Sequence, residues 1–501
     1  MNRLAYPKGA QRPPVFGSAV VLLLFLVSFW PSLAAAQNPA RAPDIELRGT
    51  ITHANHQSYL RAPFTMPDGV DRLVVAFEYD QRDQKTVIDL GIVDPQGFRG
   101  ASGGNKPSFT IARADATPSY LPGPLIPGQW ALALAVPNIR QGVTANWTAR
   151  IWLLRGAEAQ ALPSPTEGRG PGWYRGDLHL HSGHSDGSCT NMREIRVPCP
   201  LYRTLDVARA RKLDFVALTE HNTMSQAATL RELTPFYDSM LLIPGREMTT
   251  FHGHFNIFGI TSDVDFRLAE GIDNSFGKIA DRVHALGGIL SVNHPRLPSG
   301  EICMGCGWTM PGFDWSKIDA VEAINGGSPL GIEGMLAGTP FWLDGLRAGH
   351  AVAAIGGSDN HDSDKTGFGA VGVPTTVVFA RDLSQAAILD GVRKGRAFID
   401  LTGEGNVHLD YTVRAGRIQA PMGGQLRGGG VLSLSAEARG PVGTILEVVD
   451  GTDLLVRQPL AEGGVESVTF PARAGRRIIR IQLRGPDGSL LALGNAVLIE
   501  P

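Results

Sequence analysis

The residues of this chain best suited to chemistry are its histidines and the acids set beside them. Ten of the thirteen histidines fall between His179 and His361, and most stand in short polar groups rather than alone. Asp177-Leu178-His179-Leu180-His181 comes first, with Ser185-Asp186-Gly187 close behind. Residues two apart on a strand point to the same side, so His179 and His181 can grip one ion. Thr219-Glu220-His221-Asn222 and Pro244-Gly245-Arg246-Glu247 each follow an apolar run. Gly253-His254 opens such a run, Asn293-His294-Pro295 closes one, and Asp359-Asn360-His361 repeats the spacing of one residue between two ligands. A lone histidine at a strand end is more often a hydrogen-bonded structural residue than a ligand. Several such groups in one segment reverse that balance, because buried charges in this number are costly and divalent cations are the usual means of neutralising them. Imidazole and carboxylate ligands suit Zn, Mn or Fe without choosing among them. An ion of this kind activates water for attack on phosphorus or on a carbonyl carbon.

The elements that must position these groups are legible in outline. Between residues 173 and 402 short apolar runs alternate with helical patterns. The spacing predicts strands over Asp214–Leu218, Leu241–Ile243, Phe255–Ile260, Ile289–Val292, Ala320–Ile324 and Val352–Ile355, and helices over Phe276–Leu286 and Ser384–Val392. Repeated β-then-α units imply a parallel sheet or barrel, whose site lies at the C-terminal ends of the strands. Residues 37–160 read as a small antiparallel sandwich, with strands over Leu73–Tyr79, Thr86–Val93 and Trp130–Val136. Turn signals such as Asp94-Pro95-Gln96-Gly97 separate them. Their tryptophans are expected in the core rather than in a sugar site. After a Gly/Pro/Ser-containing stretch over 156–172 and the central segment, β patterns return over 403–501. There Leu446–Val449 and Leu454–Val456 read as a hairpin about Asp450-Gly451, followed by strands at Arg477–Leu483 and Ala496–Glu500.

The first 36 residues read as a signal peptide. Arg3, Lys8 and Arg12 precede an apolar run from Ala19 to Trp30, and Pro31 and Ala34-Ala35-Ala36 complete the pattern, with cleavage expected after Ala36. The run is too short to cross a bilayer, so the mature protein is expected to be soluble, without a membrane partner, and periplasmic or secreted. With 43% hydrophobic and 19% charged residues the composition is that of a folded protein. A net charge of −2 without a long basic run argues against nucleic acid as a partner. Four cysteines in an oxidising compartment suggest disulfides, most simply Cys189 with Cys199 and Cys303 with Cys306. The rival is a four-thiolate zinc site, for which only Cys303 and Cys306 have the local spacing. A redox role for that pair is weaker, since no thioredoxin-like strand-then-helix pattern surrounds it. Oligomeric state is not set by the sequence.

The order HxH…D, TxHN, GxE, H, NHP and SDxH resembles the polymerase and histidinol phosphatase (PHP) superfamily over residues 174 to about 400. The stretches TEHNT, GREMTT, GHFNIFG and GGSDNH are similar to its CehA/McbA-like branch of secreted or periplasmic hydrolases. The resemblance implies a distorted (β/α)7 barrel, here between two β-sandwich-like domains, with two or three divalent metal ions. By motif, one ion would be held by His179, His181, Glu247 and Asp359. Glu247 would bridge to a second ion bound by His254 and His294, and Asp186, His221 and His361 would bind a third. His252 competes with His254, which is preferred because it leads directly into a strand. Glu220 departs from the family, where Asp is usual, and puts the orientation of ligands in question rather than ligation. His184, His284 and His350 are expected to be structural or surface residues. Glu247, His361 and Arg296 would stand nearest the reaction. Arg296, and less so Arg246, would clamp an anionic substrate group unless tied up in surface ion pairs. The resemblance implies a metal-dependent hydrolase of a small-molecule ester, foremost a phosphoesterase. A carbamate or carboxyl-ester hydrolase is the second reading, and a binding module with structural metals the third.

Overall fold

A computed structural model describes residues 39–160, 165–301, 303–327, 332–428, 431–461, 464–470 and 475–500. The expected signal peptide lies outside the described residues.

The N-terminal segment forms two antiparallel sheets of four strands. One has the order Ile45–Thr52, Thr144–Leu154, Arg72–Tyr79, Ser108–Ala112; the other runs Ser58–Met66, Gly128–Asn138, Val87–Asp94, Gly97–Ser102. Alternation decides which residues meet. Every second residue of Ser58–Met66 from Ala62 onward is buried, and Phe64, Val75, Leu90, Phe109, Trp130 and Ile151 share one core. Trp130 is 1% exposed, so packing accounts for this strand tryptophan.

In the central segment the sheet order is Ala353–Gly357, Ala320–Asn325, Ile289–Val292, Gly253–Phe258, Leu241–Thr250, Phe215–Leu218, Gly172–Leu180. Regular β-then-α alternation does not hold throughout. Only Phe251 and His252 separate Leu241–Thr250 from Gly253–Phe258, and these two strands pair antiparallel. A parallel crossover needs a dozen or more residues, so this short link forces a hairpin. Gly253–Phe258 is also antiparallel to Ile289–Val292, while the remaining neighbours in the order are parallel. The ends of the outer strands meet: the Asp359 N–H donates to the His179 carbonyl at 2.9 Å, and the His181 N–H to that of Asn360 at 3.1 Å. These contacts make an isolated bridge rather than a ladder, and a closed (β/α)7 barrel is not shown. The fold is mixed α/β and rich in strands.

The side of Gly172–Leu180 away from Phe215–Leu218 pairs antiparallel with Thr375–Ala380, which leads through Ala397–Asp400 to Leu490–Gly494 and Arg477–Arg484. Strands of the C-terminal segment thus extend the central sheet, while His408–Ala415, Ile418–Pro421, Leu432–Arg439 and Val465–Phe470 form a sheet of their own. The helices are short and amphipathic. Phe276–Ala285 starts where the Ser275 side chain accepts the Lys278 N–H, and it buries Phe276, Ile279, Ala280 and Val283 along one face. Among the described residues no helix is long and apolar enough to cross a membrane.

One buried ionic group ties the N-terminal sandwich to the central segment. Both terminal guanidinium nitrogens of Arg72 donate to Asp115 at 2.7 Å, and Arg231, on helix Gln226–Leu233, donates to the same carboxylate. Gln160 adds to the tie by accepting the Thr261 N–H at 2.9 Å.

Candidate metal centre

The histidine groups converge where the central strands end. Asp177 organises that convergence. Fully buried, its carboxyl accepts the N–H groups of His179 (3.1 Å), Ser358 (3.0 Å) and Gly372 (2.7 Å), drawing together two strand ends and a loop. Burial pushes this carboxyl up to about 6 in spite of those bonds. His294 and Asp359 have positive φ values of 28° and 49°, a conformation that side chains other than glycine adopt at a cost and that recurs at functional sites.

Glu247 is the hub, with no exposure to solvent. Its Oε2 lies 3.4 Å from His179 Nε2, 3.5 Å from His181 Nε2 and 2.9 Å from His221 Nδ1. Its Oε1 lies 3.4 Å from His254 Nδ1 and 3.5 Å from His294 Nε2. Asp359 Oδ1 stands 3.3 Å from both His179 Nε2 and His181 Nε2. On the open side, Asp186 Oδ1 is 3.4 Å from His361 Nε2 and 3.7 Å from His221 Nε2. Each of the nine expected ligands therefore sits in this cluster. Three groupings have ligand atoms within 4.8 Å of one another: His179/His181/Glu247, His181/Asp186/His221/His361, and His254/His294 with Cys306.

The donor atoms fit a cation. His179 Nε2, His181 Nε2, Glu247 Oε2 and His294 Nδ1 are buried with no hydrogen-bond partner. Leaving such atoms unpaired is costly, and His with carboxylate is a set that divalent cations satisfy. Burial pushes the Glu247 carboxyl up, but His179, His221 and His254 outweigh it and hold the group well below its ordinary range. Asp359 is likewise raised by burial and lowered further by His179, His181 and His361. Burial takes the His181 imidazole down to about 4. Ionised carboxylates and a neutral imidazole are the forms that bind metal.

The opposite ring nitrogens are held from behind. Glu322 Oε1 accepts from His179 Nδ1 at 2.9 Å, and Glu322 Oε2 accepts the backbone N–H of His294 at 3.1 Å. Thr249 Oγ1 lies 2.6 Å from His221 Nδ1, and the Met304 carbonyl accepts from His254 Nε2 at 3.2 Å. Glu220 accepts the Ser182 N–H and hydroxyl and, at 2.6 Å, the Ser185 hydroxyl, whose oxygen is 3.4 Å from His181 Nδ1. The Asp-to-Glu departure thus leaves a carboxylate behind the first histidine pair. Gly183-His184-Ser185-Asp186-Gly187 spells Gly-x-Ser-x-Gly, yet the strand Ser188–Thr190 follows rather than a helix, and the Ser185 hydroxyl is spent on Glu220. Glu322 was not singled out from the sequence. Its signal was an acid at the centre of the apolar run Ala320–Ile324, a position that demands a buried partner.

Two expected substrate residues are engaged in other contacts. Arg296 is exposed and pairs with Asp344 at 2.8 Å, which is the surface ion pair. Arg246 is buried and donates to the Ser262 carbonyl at 3.0 Å. It follows from the strand: consecutive residues point to opposite faces, so Arg246 cannot share the side of Glu247. His252 joins none of the three groupings. The cysteines are bonded as 189–199 and 303–306.

No family model and no curated protein matches this chain. Among solved structures it is similar to a two-domain protein of Bacteroides vulgatus containing, by prediction, a PHP-like metal-dependent phosphoesterase. Identity is 17% and the TM-score 0.35, over 67% of this chain and 98% of that one. A Bifidobacterium adolescentis protein, provisionally named a metal-dependent phosphoesterase, is similar at 14% identity and a TM-score of 0.27, over 39% and 90% of the two chains. The soluble domain of PmoD from Methylocystis matches at 14% identity and a TM-score of 0.15, over 19% and 90%. Likeness at these TM-scores is too distant to carry an assignment.

Proposed function

We propose that this chain is an exported, metal-dependent hydrolase of the PHP type, of the CehA/McbA-like branch, that cleaves a phosphoester. The observation that carries the reading is the set of buried, unpartnered ligand atoms about Glu247. The phosphoester preference rests on the resemblance of the motif order to PHP enzymes. His179, His181, Glu247 and Asp359 would hold one ion; Glu247, His254 and His294 a second; Asp186, His221 and His361 a third.

Divalent cations bound there supply Lewis acidity, which polarises the scissile group and lowers the pKa of water. The chain's own residues do the rest. Glu247, buried and ionised, keeps two groups of histidines at fixed separation. Glu322 and the Met304 carbonyl set the tautomers of His179 and His254, so that each presents a lone pair inward. His361 and Asp186 lie at the open side, 37% and 58% exposed in their side chains, where a substrate can reach them.

The test is metal analysis of the purified protein coupled to aryl phosphomonoesters, aryl phosphodiesters and an aryl N-methylcarbamate. Phosphoester cleavage that a chelator abolishes is the expected result. Carbamate cleavage without phosphoester cleavage would overturn the substrate class. Bound metal with no turnover on any ester would favour the binding module. The secreted protein should begin at Gln37, and an intact Met1 on secreted material would refute export by a cleaved signal.

A further inference from the structure

Cys306 was expected to close a disulfide or, in the rival reading, to join a four-thiolate zinc site, yet its sulfur lies within 4.8 Å of ligand atoms of both His254 and His294. The residue is completely buried, and the His294 side chain, whose Nδ1 has no partner, is buried beside it. Both imidazoles also face Glu247 Oε1, at 3.4 and 3.5 Å. Two imidazoles and a thiolate make a three-donor set of the kind that zinc takes, with the fourth tetrahedral position left to water or substrate. In the structure that sulfur is bonded to Cys303, and a disulfide sulfur is a far poorer ligand than a thiolate.

We propose that the Cys303–Cys306 pair is a redox-controlled ligand of the cluster: as a dithiol, Cys306 joins His254 and His294 in a site for a thiophilic divalent cation, and as a disulfide it withholds that ligand. This rests on the reading of the cluster as a metal centre. Forming the bridge removes two protons and two electrons from the thiols, and the electrons pass to an incoming disulfide oxidant that leaves as two thiols. Reduction by a dithiol reverses the exchange. On binding the cation, the Cys306 thiol gives its proton to water. The loop is coupled to the site in the bonded state, because the Met304 carbonyl between the two cysteines accepts from His254 Nε2. It is also seated tightly, since a Cβ on Gly305 (φ 78°) would collide with the Thr250 carbonyl.

The test uses the metal-free full chain titrated with Co(II) under anaerobic conditions. Its arms are the oxidised protein, the protein reduced with a phosphine, Cys303→Ser, Cys303→Ala and Cys306→Ser. The two Cys303 variants free Cys306 without reductant and leave the Cys189–Cys199 bridge intact, and either suffices if the other does not fold. A near-ultraviolet thiolate-to-cobalt charge-transfer band is expected in the reduced protein and the Cys303 variants. It should be lost in the oxidised protein and in Cys306→Ser. Cobalt bound to a Cys303 variant without that band would overturn the proposal and leave the bridge as a staple for the loop. Failure of every arm to bind cobalt would overturn the metal-centre reading itself.

Discussion

Two buried carboxylates in this molecule, Asp115 and Glu247, are both ringed by basic groups, and they are satisfied in opposite ways. At Asp115 the bases are guanidinium groups in direct hydrogen bonds: Arg72 reaches both carboxylate oxygens at 2.7 Å, and Arg231 closes on the first. At Glu247 four of the five imidazoles stand off at 3.4–3.5 Å, and the inward nitrogens of His179 and His181 have no hydrogen-bond partner. A fixed planar fork can saturate a carboxylate without help. His179 and His254, held from behind by Glu322 and the Met304 carbonyl, cannot advance, so their lone pairs share a space that a further group can fill. The first arrangement is a rivet between two parts of the fold; the second is a socket.

The contrast can be broken by substitution. Glu247→Ala should remove at least one equivalent of bound metal and abolish turnover, since one carboxylate faces both histidine groups. Wild-type metal content by elemental analysis would refute the socket. Asp115→Asn should cost about 3–5 kcal/mol of stability in denaturant titration, because it leaves two guanidiniums buried without their anion, while metal content stays unchanged.

The rivet also makes a pH prediction. Burial pushes the Asp115 carboxyl up, but Arg231 and Arg72 outweigh it and bring it from 3.8 to about 2. A lowered folded-state value means stabilisation that is fully present above about 3.8 and is lost as the pH falls toward 2. It amounts to something on the order of 2 kcal/mol. The stability difference between wild type and Asp115→Asn should therefore shrink across that window; a constant difference would show that the ion pair is not its source.

Glu322→Gln sharpens the comparison from the other side. It should leave the ligands in place but weaken metal affinity by roughly ten- to a hundredfold, read by competition with a chelator. The smallest effect belongs to Arg296→Ala. An exposed pair with Asp344 contributes about 0–1 kcal/mol, and turnover should stay close to wild type. A large loss of phosphoester turnover alone would show that Arg296 leaves Asp344 to bind substrate.

The sequence by itself determined the strands at Phe215–Leu218, Ile289–Val292 and Ala320–Asn325, the helix Phe276–Ala285 and the hairpin around Asp450-Gly451, because period-two and period-3.6 patterns and turn residues are local signals. It also placed the histidine groups at strand ends, since a polar cluster closing an apolar run can lie nowhere else in a sheet. Only the tertiary structure decided what depends on distant pieces of chain meeting. Glu322 lies inside a strand that only the fold brings opposite His179, and Arg296 meets Asp344 only in the fold. The antiparallel Gly253–Phe258 strand departs from the expected alternation through a link of two residues. Cys306 joined His254 and His294 for the same reason: spacing along the chain fixes which face a residue takes, but not which residues lie across the space it faces.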